Sequence, residues 1–86
     1  MKQMKHARSD YNRIQDPEGK IPEDEPVFLL RAQDVVAPQV VEIWALAAHN
    51  AGAKHDIVQH AYEHAQLMRK WQEEHGRKVP DMPSQQ

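Results

Sequence analysis

The residues best equipped for chemistry in this 86-residue chain stand together in HAYEH, residues 60–64. His60 and His64 are four apart, so on a helix both imidazoles project from one face. Glu63 sets a carboxylate just before the second imidazole. Such a set has three uses. The histidines can pack, hydrogen-bonded, at a subunit boundary. They can hold a metal ion shared between subunits, since zinc takes three or four protein ligands and this turn offers two. Or a metal can activate water there, with Glu63 as general base.

In spelling, H-x-x-E-H resembles the helical motif of zinc peptidases of the inverted type, which implies hydrolysis. The surroundings argue otherwise. A catalytic zinc needs a third protein ligand and a cleft for substrate. The residues after His64 that could ligate are Glu73, Glu74, His75 and Asp81. The first three continue along the same helix, away from the pair. The expectation is therefore no enzyme and no cofactor, with boundary packing as the first reading. An intersubunit metal site on His60 and His64 is the alternative.

A second cluster lies in IPEDEPVFLLRAQD. Arg31 follows the most apolar run of the chain, and Gln33 and Asp34 precede a helix. A guanidinium beside apolar residues needs a partner or an anion. Asp34 is the internal partner on offer. The alternative uses the helix amino end as an anion cradle. Arg31 would then meet a phosphate, Gln33 would read a base or ribose, and Tyr11 or Trp44 would stack. Arg13 and Lys20 would close over the ligand. Trp44 also reads as core, because it falls within an apolar stripe.

These residues need elements to position them. Pro17, Pro22 and Pro26 bar a helix interior, so residues 1–26 read as a basic arm and an extended, proline-rich segment. The run beginning at Val27 favours a short β-strand over about residues 27–32, with helix as the competing reading. Its only pairing candidates are residues 11–14 or another subunit. Two helices follow, at about residues 38–50 and 54–75. Pro38 suits the first turn of one, and Gly52 and Gly76 suit the stops. At 100° per residue the first helix gathers Val40, Val41, Ile43, Trp44, Ala47, Ala48 and Ala51 on one face. Glu42 and His49 lie opposite, and Leu46 falls off the stripe. The second gathers Ile57, Val58, Ala61, Ala65, Met68 and Gln72, edged by Leu67 and Trp71. His60 and His64 flank that edge. So short a connection makes an antiparallel αα-hairpin spanning, with the strand, residues 27–76. Residues 77–86 read as a flexible tail.

Composition sets the limits. Six histidines and no cysteine exclude disulfides and thiolate metal sites. The formal charge of -2 and the lack of a basic stripe speak against duplex binding. No apolar run nears the roughly 18 residues of a membrane span, and MKQMKHARSDYNR lacks a signal-like apolar region. A cytoplasmic location without membrane contact is expected. A chain this small buries only about 60% of its unfolded surface, so self-association is expected to complete its core.

The stretch DPEGKIPEDEPVFLLRAQDVVAP, with the helix carrying Trp44, resembles a group of small proteins encoded by phages and prophages. The likeness spans most of residues 10–75. It implies host-cell cytoplasm as the place of action. In size and oligomeric plan the chain is similar to phage anti-defence sponges, which sequester cyclic nucleotide or ADP-ribose-type signals. The expected architecture is mainly α: a hairpin with an extended N-terminal segment and a short strand, assembled as a homo-oligomer. The expected function is non-catalytic capture of a nucleotide-derived signal at subunit interfaces, through Tyr11, Arg13, Lys20, Arg31, Gln33, Asp34 and Trp44. The alternative is an adaptor or inhibitor docking on a host protein.

Overall fold

The computed structural model describes residue 16 and residues 18–82. The chain divides into two units: Leu30–Pro80, and the segments on either side of it. Within Leu30–Pro80, α1 (Ala37–Asn50) and α2 (His55–His75) pack against each other as an antiparallel hairpin. Neither is long and apolar enough to cross a membrane.

The helix ends follow from local chemistry. Pro38 sits in the first turn of α1, where its missing N–H and fixed φ cost nothing. No side chain caps that end. The Asp34 carbonyl instead accepts the Ala37 N–H at 2.9 Å, so the start of α1 is held by a backbone turn. At the other end Gly52 takes φ 95°, a region that disfavours side chains. Its N–H donates to the His49 carbonyl at 3.0 Å, and the Ala53 N–H reaches Ala48 at 2.9 Å. This pair of bonds is the Schellman closure, and it reverses the chain into α2. Gly76 ends α2, donating its N–H to Gln72 at 2.8 Å.

The seam between the helices is thin. Ala37, Ala45, Val58, Ala65 and Met68 are its buried apolar residues. Alanines at the contact let two backbones approach closely. On α2 the middle of the predicted stripe is buried, at Val58, Ala65 and Met68, with Ala61 and Gln72 partly so, while Ile57 is exposed. On α1 the buried stripe is not the predicted one. Val40, Ile43, Trp44, Ala47 and Ala51 are exposed, while Pro38 and Ala45 are buried and Val41 and Ala48 partly so. Glu42, expected on the far side, points toward α2. Its carboxylate takes both arms of the Arg69 guanidinium, at 2.5 and 2.7 Å. The bulky face was the wrong guide because α1 is apolar nearly all round. Small residues and a charge pair selected the face that packs.

The hairpin's open end is also fastened. The Gln72 amide donates to the carbonyls of Ala32 and Asp34, at 2.8 and 3.0 Å. The Lys78 N–H donates to Gln33, and the Val35 N–H donates to Lys78, each at 2.8 Å. This single parallel bridge between Asp34 and Lys78 ties the chain leaving α2 to the chain entering α1. Residues 77–80, expected to be tail, therefore belong to the hairpin unit. Residues 27–32 form no strand, and no strand longer than an isolated bridge occurs among the described residues. Among the described residues the run has no ladder of partners to satisfy its backbone, and residues 11–14, its pairing candidates, lie outside them.

In the flanking unit, residues 16, 18–29 and 81–82 are described. Asp16 organises the DPEGKI turn. Its carbonyl accepts the Gly19 N–H at 2.9 Å, and its carboxylate accepts the N–H groups of Lys20 and Ile21 at 3.1 and 3.0 Å. A second turn closes from the Glu25 N–H to Pro22. Beyond it Phe28 is 70% exposed.

Candidate functional site

Five of the seven expected ligand residues are described. Arg31, Gln33 and Asp34 share one turn. The Asp34 N–H donates to the Arg31 carbonyl at 3.0 Å, and the Asp34 carboxylate accepts the Arg31 backbone N–H at 3.3 Å. Asp34 is buried, so its carboxylate serves the turn. The Gln33 carbonyl is taken by Lys78. Lys20 lies in the other unit, where its ammonium pairs with Glu18 at 2.8 Å on an exposed surface. Tyr11 and Arg13 lie outside the described residues. Trp44 is 51% exposed and belongs to a different feature, a groove shared with the histidines.

Two of the concave features are lined by residues of the hairpin unit. The first is a polar cleft of about 500 Å³ beside the start of α1. Val35, Pro38 and Gln39 line it from one side, and Arg69, Gln72 and Arg77 from the other. Glu73 adds a negative charge to the same wall. Arg69 is already committed to Glu42, and each shifts the other. The hydrogen-bonded guanidinium holds the Glu42 carboxyl below the ordinary glutamate range, against a smaller desolvation effect. The same bond raises Arg69 further above its already basic value. The cleft's remaining guanidinium is that of Arg77.

Sequence reasoning placed an anion cradle at this helix start but chose other residues. Gln72 carried a signal, a polar residue in an otherwise apolar stripe, which is how a side chain that satisfies buried carbonyls appears in sequence. Arg77 gave none, because it follows the helix stop and reaches the cleft only through the bridge at Lys78.

The second feature is an apolar groove of about 350 Å³, lined by Val41, Trp44, Ile57, His60, Ala61 and His64. Here the HAYEH histidines meet Trp44, where the sequence suggested Trp71. Trp71 instead stacks on His75, with ring centroids 4.4 Å apart. The His75 Nδ1 lies 3.2 Å from the Trp71 carbonyl. His60 Nδ1 is 3.8 Å from a Glu63 carboxylate oxygen, and both side chains are largely solvated. Gln59 donates to that same carboxylate at 3.2 Å. Among the described residues no three metal-ligating side chains gather in one copy.

No family model, curated protein or solved structure matches this chain. The site's own geometry therefore carries the functional reading.

Proposed function

We propose that this protein is a non-catalytic binding protein that works as a homo-oligomer, with its ligand surfaces at the junctions between copies. One observation carries the reading. The bulkiest apolar residues of α1 point out of the hairpin: Ile43 is 57% exposed and Trp44 is 51% exposed. A helix apolar on all sides is ordinarily buried on all sides. Contiguous exposed apolar surface on a small protein marks an association site. Leu46, Ile57 and Leu67 extend the exposed apolar surface.

The ligand class that fits best is a small anion of the nucleotide-signal type. Its support is the arginine-bearing cleft at the start of α1, together with the resemblance to phage-encoded proteins. Capture needs no bond broken, only stoichiometric binding. Sedimentation velocity of the full chain tests the association, with a mass above one copy expected and a monomer at all concentrations counting against it. Calorimetry with cyclic nucleotides and ADP-ribose tests the ligand. Wild type should release heat, and Arg77→Ala and Arg31→Ala should release less. Silence across the panel removes the nucleotide reading.

A second reading has its own observation. Phe28 stands exposed two residues after Pro26 and the acidic residues 23–25, the composition of an extended docking segment. An adaptor that docks on a host protein would use it. Capture of one host protein by wild type, lost with Phe28→Ala, would favour that reading over the first.

A further inference from the structure

We propose that His60 and His64 form half of a zinc site that a second copy of this chain completes, so that zinc clamps two hairpins across the Trp44 groove. The inference rests on the reading that copies associate, and it adds the ligand that holds them.

The argument begins with the spacing. Residues four apart on a helix hold their Cβ atoms about 5–6 Å apart, within reach of one metal ion. Both imidazoles line the same groove, so they open onto the same space. Among the described residues the His64 side chain makes no hydrogen bond or ion pair. His60 meets only Glu63, at 3.8 Å through Nδ1. His75, the last of α2's four histidines, is stacked on Trp71 and its Nδ1 lies 3.2 Å from a carbonyl.

What the single chain lacks is ligand number. Structural zinc is four-coordinate, at Zn–N distances of about 2.0–2.1 Å, and this chain brings two nitrogens. A two-fold axis through the metal supplies the other two, because an isologous contact returns the same pair from the partner. No other occupant completes the set so economically. The groove floor is apolar, with Val41, Ile57 and Ala61, and Trp44 forms part of its wall. Closing two copies over the metal would therefore also cover Trp44.

The test is sedimentation velocity and cobalt(II) spectroscopy on the full chain. Metal-free protein is titrated with zinc chloride, then with chelator. Zinc should shift the chain toward dimer, saturating at one zinc per two chains, and chelator should reverse the shift. Cobalt should give the intense visible band of a tetrahedral site. The variant His60→Ala/His64→Ala, whose replaced side chains lie on the surface, should lose both responses and keep its helical circular dichroism. Replacing the other histidines (His6, His49, His55 and His75) should leave them intact. Association that ignores zinc and chelator would overturn the zinc clamp and leave the oligomer standing. A monomer with or without zinc would overturn both.

Discussion

α1 and α2 share one seam yet were composed on opposite plans. α2 is polar on most of its circumference, so Val58, Ala65 and Met68 can only face inward, and they do. α1 offers apolar side chains nearly all round. It buries the short ones, Ala37 and Ala45, and leaves Ile43 and Trp44 outside. The lesson is that hydrophobic periodicity selects a face only where a polar face exists to be excluded. Where none does, closeness of approach and a charge pair decide.

The sharpest way to break this comparison is to shorten side chains on each plan. Met68→Ala removes a buried side chain from the seam and should cost about 2 kcal/mol, the low end for such a deletion in so thin a core. Leu67→Ala, its exposed neighbour, should change the stability of the single hairpin by less than about 0.5 kcal/mol. Chemical denaturation followed by circular dichroism measures both. Ile43→Ala should behave as Leu67→Ala does at low protein concentration, and should weaken association at high concentration. If Ile43→Ala destabilised the dilute hairpin as much as Met68→Ala, the assignment of faces on α1 would be wrong.

That contrast also explains how much was legible beforehand. Both helices could be read to within a residue at each end, because Pro38, Gly52 and Gly76 act through backbone conformation, which is local. The buried part of the α2 stripe, Val58, Ala65 and Met68, was legible for the reason given. The inner face of α1 was not, because the Glu42–Arg69 pair spans 27 positions and no periodicity within one helix reports it. The strand at residues 27–32 was misread because β-branched and aromatic content measures fit to a sheet, and no sheet forms among the described residues. At the site, the histidine pair was recognised by spacing alone. Its neighbour Trp44 was not, since that contact crosses between helices.

The open end of the hairpin offers a smaller test. Gln72 is the one polar residue in the α2 stripe, and its amide holds two carbonyls of the segment before α1. Gln72→Leu keeps the bulk and removes the donors. It should cost about 1 kcal/mol, because the carbonyls it leaves are only partly shielded from water. Hydrogen exchange should quicken at Val35 and Lys78, whose amides form the adjoining bridge. Unchanged exchange there would mean that the bridge stands without Gln72.

The smallest effect is the most specific to the α1 plan, and it is a pH dependence. Glu42 titrates below its ordinary value in the folded chain because the Arg69 guanidinium donates to its ionised form. A carboxyl lowered on folding stabilises the fold at every pH above its unfolded value, about 4.3. That contribution fades as pH falls through the unfolded value and then through the lower folded one. Arg69 is shifted upward and stays charged throughout, so it adds no slope in this window. Melting of wild type should therefore fall between pH 5 and pH 3 more steeply than melting of Glu42→Gln. At neutral pH the variant should melt lower, and the two curves should converge in acid. The pair is partly open to water, so the separation should be modest and should shrink in high salt. Parallel curves from pH 7 to pH 3 would mean that Glu42 is not held at the seam, and the contrast between the two helices would reduce to alanine content alone.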